Sequence, residues 1–164
     1  MKLLMLSLAL ALTLSTIPAL AEVGVVALVN LSPAGNFQAK TNSVVGSAKI
    51  TGDRVSATNI KVPMDSLKTG IELRDRHMKE KYIETTKFPD AELIEATGTA
   101  GKGRGKLKFH GVEKEITGTY KIVGNEMQAE FPIKLSEFGI TGIRYMGVGV
   151  KDDVKVTITV PVTE

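Results

Sequence analysis

The chain has 164 residues, with 21 basic and 18 acidic side chains, a net charge of +3 and no cysteine. That length suits one domain with a proper core and not two, and so even a charge balance excludes nucleic acid as the expected partner, leaving at most a mild attraction to anionic head groups. Without cysteine there is no disulfide framework, no thiol nucleophile and no acceptor for the lipid that tethers bacterial lipoproteins.

In chain order, residues 1–21 read as a secretory signal peptide. Lys2 supplies a short positive region, Leu3 to Ile17 is almost wholly apolar, and Ala19-Leu20-Ala21 offers small residues for cleavage. The apolar run is shorter than the roughly 20 residues of a membrane span. The expected mature protein starts at Glu22, occupies the periplasm (secretion being the alternative) and forms one domain over residues 22–164.

The mature sequence reads as short strands and turns. Alternation of period two runs through Val23, Val25, Ala27 and Val29, through Ile116, Gly118, Tyr120 and Ile122, and through Met127, Ala129, Phe131, Ile133 and Leu135. It is clearest at Val154, Val156, Ile158, Val160 and Val162. Shorter candidates are Phe37 to Lys40, Val44 to Thr51, Arg54 to Val62, Ala91 to Ala96 and Lys106 to His110. Turn chemistry falls at Pro33-Ala34-Gly35, Thr51-Gly52-Asp53, Gly98 to Gly105, Gly124-Asn125 and Lys151-Asp152-Asp153. Strands at hairpin spacing favour an all-β fold: a closed antiparallel barrel of eight or slightly more strands, with a two-sheet sandwich as the competing arrangement.

One segment interrupts the strands. Met64 to Pro89 is helix-prone, and a helical insertion is expected near residues 66–84, starting near Ile71 after an irregular approach from Asp65 to Thr69. On a helical wheel Leu67, Ile71, Met78 and Tyr82 share one stripe, Arg74 and Asp75 flank it, and His77 lies further round. The stripe should face the barrel, with the charged pair at the boundary with water.

The constellations carry little chemistry. Two histidines without cysteine or an HExxH spacing give no metal set, although Asp75 near His77 offers two donors. Asp152 and Asp153 read as turn carboxylates, and no serine sits in a GxSxG elbow. Gly101, Gly103 and Gly105 alternate with Lys102, Arg104 and Lys106 as a solvated hairpin tip; Leu107 stands where a phosphate loop needs Ser or Thr.

Small inward residues leave room inside a barrel of this size for one ligand. Each buried methylene gains about 0.8 kcal/mol against an association cost of about 4–15 kcal/mol, so a tail of about eight carbons gains only about 6 kcal/mol and one of sixteen or more can exceed the cost. A long lipid is therefore preferred to a small metabolite.

Several segments carry a family likeness. Asp65-Ser66-Leu67-Lys68-Thr69-Gly70 followed by Arg74-Asp75-Arg76-His77-Met78 resembles the SLxTG and RDxHL signature of YceI-like proteins. Phe88-Pro89, Lys106 to Lys114, Glu137-Phe138-Gly139-Ile140 and Val150 to Ile158 resemble further family segments in the same order. Tyr82-Ile83-Glu84 stands where the family has FFD, and Leu93 where it has Phe. The resemblance implies a lipocalin-like barrel, exported to the periplasm, that binds a polyisoprenoid or other long amphiphilic lipid inside the barrel. It points to Arg74, Asp75 and His77 beside the helix and to Phe109, His110 and Gly111 at a strand end. Arg74 and Asp75 are alternatively fold-holding ion pairs or caps.

The resulting expectation is a non-enzymatic carrier, buffer or store for a long-chain isoprenoid or similar lipid, with no cofactor or metal, a transient membrane contact and a possible homodimer. The ligand-binding candidates are Phe37, Leu67, Ile71, Arg74, Asp75, His77, Met78, Tyr82, Phe88, Phe109, Phe131 and Phe138. Two competing readings are a lipid-modifying enzyme using His77 and Asp75 as an acid/base pair, and an interaction module with a packed interior.

Overall fold

A computed structural model describes residues 22–164; the expected signal peptide lies outside the described residues. Ten strands form one sheet: β1 (Gly24–Ser32), β2 (Asn36–Thr41), β3 (Ala48–Thr51), β4 (Arg54–Pro63), β5 (Asp90–Thr99), β6 (Lys102–Phe109), β7 (Val112–Val123), β8 (Glu126–Lys134), β9 (Arg144–Tyr145) and β10 (Val148–Thr163). β3 through β8 pair antiparallel in sequence order, through tight hairpins except between β4 and β5, which are joined by the insertion. β10 pairs with β8 along one edge, and along the other with β1 and then β3, so that β3 to β8 and β10 close a seven-strand ring.

This is the barrel that the alternation predicts, with two differences. Three further strands lie outside the ring, with β1 and β2 lengthening the wall beside β10 and β9 forming a short arm against its start. The junction of Val162 with Ala48 and Thr163 with Lys49 is parallel, so the barrel is not antiparallel throughout.

Tight turns set the registers. Gly52-Asp53, Ala100-Gly101, His110-Gly111 and Gly124-Asn125 each join two strands. Ala100-Gly101 and His110-Gly111 have positive φ at both residues, the geometry whose twist matches flanking strands. In the middle of the β4–β5 pair, Asn59 (φ 53) and Ile94 drop out of the ladder, and the inward row passes from Val55 and Ala57 to Ile60 and Val62.

Two expected turns are strand. Asp152 and Asp153 lie within β10, where Asp153 pairs in register with Lys134. Asp152 is tolerated there because its carboxylate turns to Ser136, whose N–H and hydroxyl donate to it at 2.7 Å each. Gly98, Gly103 and Gly105 are likewise inside β5 and β6, and only Ala100-Gly101 turns. The glycines are needed for close approach: a Cβ on Gly98 would lie 2.5 Å from Cε1 of Tyr120, and one on Gly105 2.7 Å from the Glu95 carbonyl oxygen. Since β6 lies between β5 and β7, its lysines protect no edge.

The interruption is a composite insertion. Met64–Ser66 is a 3₁₀ turn, α1 covers Glu72–His77, and Met78–Tyr82 continues as a single π-type turn. Leu67 and Ile71 precede α1, so they do not share a helical stripe with Met78 and Tyr82. Leu67 is buried from an extended segment tied to β2 by the Lys40–Lys68 bridge, and Ile71 is the extended cap of α1.

Candidate functional site: an apolar cavity beneath the helical insertion

The inward rows leave a cavity of about 540 Å³ at the end of the barrel that carries the insertion, within the range of small-molecule sites. Its walls are aliphatic: Val25, Ala27 and Val29 from β1, Ile60 and Val62 from β4, Ile133 from β8, and Val154, Val156 and Ile158 from β10. Phe37, Phe109 and Phe131 add aromatic faces. Ile60, Leu93, Phe131 and Ile158 also border a second void of about 80 Å³ and so form the partition toward the far end, where Tyr120, Met127 and the strand glycines pack.

Two structures flank the mouth. On one side are Ile71, Leu73, Arg74, His77, Met78 and Tyr82 of the insertion; on the other is a hairpin contributing Ile143, Arg144, Tyr145, Met146 and Val148. They meet where the His77 and Tyr145 rings lie 5.9 Å apart and the Tyr82 hydroxyl reaches the Arg144 carbonyl at 3.5 Å. Among the described residues, no carboxylate lines the cavity, and its charged or titratable nitrogen groups are Arg74, His77 and Arg144. A ligand fitting this arrangement has a long apolar body and an end group that accepts hydrogen bonds.

The insertion is fastened by two polar devices. In the first, the Thr69 backbone N–H and hydroxyl both donate to Oδ1 of Asp75, at 2.7 and 2.6 Å. The same hydroxyl accepts from Arg74 Nε at 2.9 Å, and Arg74 Nη2 donates to the Thr69 carbonyl at 2.9 Å. Burial alone would raise the pKa of Asp75, but the Thr69 hydrogen bonds, with Lys79 and Lys68 nearby, hold it below the usual carboxylate range. Arg74 also lays its guanidinium 4.0 Å above the Phe37 ring, which braces the cavity wall. Upstream, Ser43 N–H donates to the Thr41 hydroxyl, Thr41 to the Ser66 hydroxyl, and Ser66 to the Pro63 carbonyl, an order set by the carbonyl, which only accepts.

The second device is at the insertion's exit. His110 Nδ1 donates to the Phe138 carbonyl at 2.8 Å, and Nε2 faces Glu84 Oε2 at 3.2 Å. The Phe88 ring packs 4.4 Å from His110 and covers Gly111, where a Cβ would meet it at 2.7 Å. Phe138, 1% exposed, packs on Phe109 at 5.4 Å between centroids.

Of the twelve candidates, nine line the cavity: Phe37, Leu67, Ile71, Arg74, His77, Met78, Tyr82, Phe109 and Phe131. Asp75, Phe88 and Phe138 do not. Asp75 is 9% exposed and turned to Thr69, Phe88 lies over the β6–β7 turn, and Phe138 is core. Asp75 is thus a fastening group rather than one poised at the mouth. Sequence reasoning missed the hairpin; its signal was Ile143, Tyr145 and Met146 around Arg144, bracketed by Gly142 and Gly147, both at positive φ.

A closed barrel with an apolar chamber, mouthed between a short helix and a hairpin, is the architecture of a lipocalin-like domain. The chain belongs to the YceI-like domain family, whose model matches residues 19–162. No curated protein matches it. Among solved structures it is similar to BcnA of Burkholderia cenocepacia (TM-score 0.64, 16% identity, 83% of this chain and 93% of that one). It is also similar to the YceI protein of Campylobacter jejuni (TM-score 0.59, 18% identity, 79% and 86%). A third likeness is to a polyisoprenoid binding domain from Saccharophagus degradans implicated in plant cell wall breakdown (TM-score 0.55, 13% identity, 83% and 90%).

Proposed function

We propose that this protein is an exported, periplasmic carrier or store that holds a long-chain isoprenoid or similar amphiphilic lipid inside its barrel. The observation that carries the reading is the cavity of about 540 Å³, apolar throughout its walls and ringed at the mouth by Arg74, His77 and Arg144. Family membership supports it, as does the likeness to the polyisoprenoid binding domain from Saccharophagus degradans. The signal-like residues 1–21 support export.

The end group is an acceptor such as a carbonyl, carboxylate or phosphate, since the mouth supplies donors and positive charge. A long chain is required because each methylene adds only about 0.8 kcal/mol. Against the acid/base reading, Asp75 is buried, turned to Thr69 and outside the cavity lining that contains His77. The packed-module reading is opposed by the cavity itself.

The test is organic extraction of the purified protein followed by mass spectrometry, with titration of the emptied protein by prenyl quinones and long-chain amides. A prenyl or long acyl compound in the extract is the expected result. An extract holding only buffer components, together with no binding of either class, overturns the reading.

A further inference from the structure

Five large apolar side chains at the cavity mouth face solvent: Ile71 is 53% exposed, Leu73 41%, Tyr145 58%, Met146 86% and Val148 40%. All five also line the cavity, so the exposed patch and the chamber are one continuous apolar surface. Patches of this kind mark contact sites, whereas single exposed apolar residues need no explanation. Charge accompanies the patch. Arg144 lies within the rim, Lys81 folds over Tyr82 with Nζ 5.3 Å from its ring centroid, and His77 stands against Tyr145.

We propose that this rim docks on an anionic lipid surface, with Met146 and Leu73 entering the interface and Arg144 and Lys81 meeting the head groups, so that the cavity opens directly into the bilayer. The proposal rests on the lipid-holding reading above and adds where the lipid is exchanged. A mouth seated in the interface lets an apolar tail pass between bilayer and chamber without crossing water, which removes the cost of exposing each methylene to water in transit. Basic groups beside exposed apolar ones are the combination that holds a peripheral protein to such a surface. A second copy of the chain fits this face poorly. A two-fold contact gathers the rims of both copies, and with them Arg144 and Lys81 of each, around one axis, whereas an anionic surface meets those cations with opposite charge.

The test is flotation of the purified protein with vesicles of phosphatidylcholine and phosphatidylglycerol, and with phosphatidylcholine alone, across a salt series, for the wild type, Met146→Glu, Leu73→Glu and Lys81→Glu. Capture of a fluorescent long-chain probe is measured separately in vesicle-free solution, and sedimentation gives the oligomeric state. The expected result is salt-sensitive flotation with the anionic vesicles, reduced roughly tenfold or more by each charge introduction, and unchanged probe capture by Lys81→Glu. A wild type that captures the probe but does not float, or variants that float equally, overturns the docking and leaves the lipid-holding reading standing. A wild type that floats yet captures nothing overturns that reading instead. A dimer that Met146→Glu dissociates assigns the face to a second copy and also overturns the docking.

Discussion

Arg74 and Asp75, neighbours in the chain, meet on Thr69: its hydroxyl donates to the carboxylate at 2.6 Å and accepts from the guanidinium at 2.9 Å. One threonine thereby sets both the loop before α1 and the arginine that braces Phe37. Thr69→Val keeps the shape and removes both hydroxyl hydrogen bonds. It is expected to cost about 2–3 kcal/mol, read by denaturant unfolding, while Thr69→Ser retains most of the stability. Equal stability of the valine and serine variants would show that the hydroxyl is not the fastening point.

Asp75 gives this device a pH signature. Its folded pKa is depressed, so its contribution is present above the unfolded value of about 3.9 and is lost as pH falls through the folded value. Asp152, held low by the side-chain and backbone hydrogen bonds of Ser136, acts in the same direction. Unfolding curves between neutral and strongly acid pH should steepen below about pH 4, and Asp75→Asn should flatten that loss. An unchanged pH slope in the variant would refute the assignment.

The exit of the insertion depends on the β6–β7 turn. Gly111 has φ +77, and a Cβ there meets Phe88 at 2.7 Å. Gly111→Ala should destabilise by about 1–3 kcal/mol from backbone strain alone, with further loss from displacing Phe88. Heteronuclear NMR should then show the shifts of Phe88, His110 and Phe138 moving together, since one contact set joins them.

Cavity volume is testable without touching the polar groups. Ala27 lines the chamber and is only partly buried, so Ala27→Phe projects a ring into the space. Displacing two or three methylenes of a bound chain costs about 2 kcal/mol, a weakening of roughly thirtyfold. Probe titration measures it, and the melting temperature of the ligand-free protein should hold or rise. Undiminished affinity would place the chain elsewhere.

At the far end, Gly98 and Tyr120 form one unit, for a Cβ on Gly98 falls 2.5 Å from the ring. Gly98→Ala should destabilise strongly, and combining it with Tyr120→Leu should cost less than the sum of the two single changes. Strict additivity would mean that the glycine is required for another reason.

The sequence carried the strands whose two faces differ most. Met127 to Ile133 and Val154 to Val162 alternate because one row of side chains faces the core and the other carries mostly polar groups away from it, Thr159 alone of that second row in β10 being buried. Alternation fails at Asn59 and Ile94, where both strands lose a residue from the ladder and the inward row changes parity. It fails again at Asp152, whose partner Ser136 is distant in sequence. The same limit applies at the site. Phe37, Met78 and Tyr82 announce themselves as apolar residues on expected elements, whereas β9 is two residues long and its hairpin becomes visible only when placed opposite α1. Most of the signature after Asp75 falls on the Glu84, Phe88, His110 and Phe138 cluster, which holds the insertion down and leaves the chamber to aliphatic residues with no individual signature.

Strand β10 has a consequence for how occupancy and folding are linked. It pairs with β1, β3, β8 and β9, and it supplies Val154, Val156 and Ile158 to the chamber wall. Until it docks against segments more than a hundred residues earlier in the chain, there is neither a ring nor a compartment, a topology of high contact order that folds slowly. A half-assembled chain therefore has no closed chamber to occupy. Any ligand of the chamber binds the completed fold alone, and its binding would raise the stability of the whole domain by mass action.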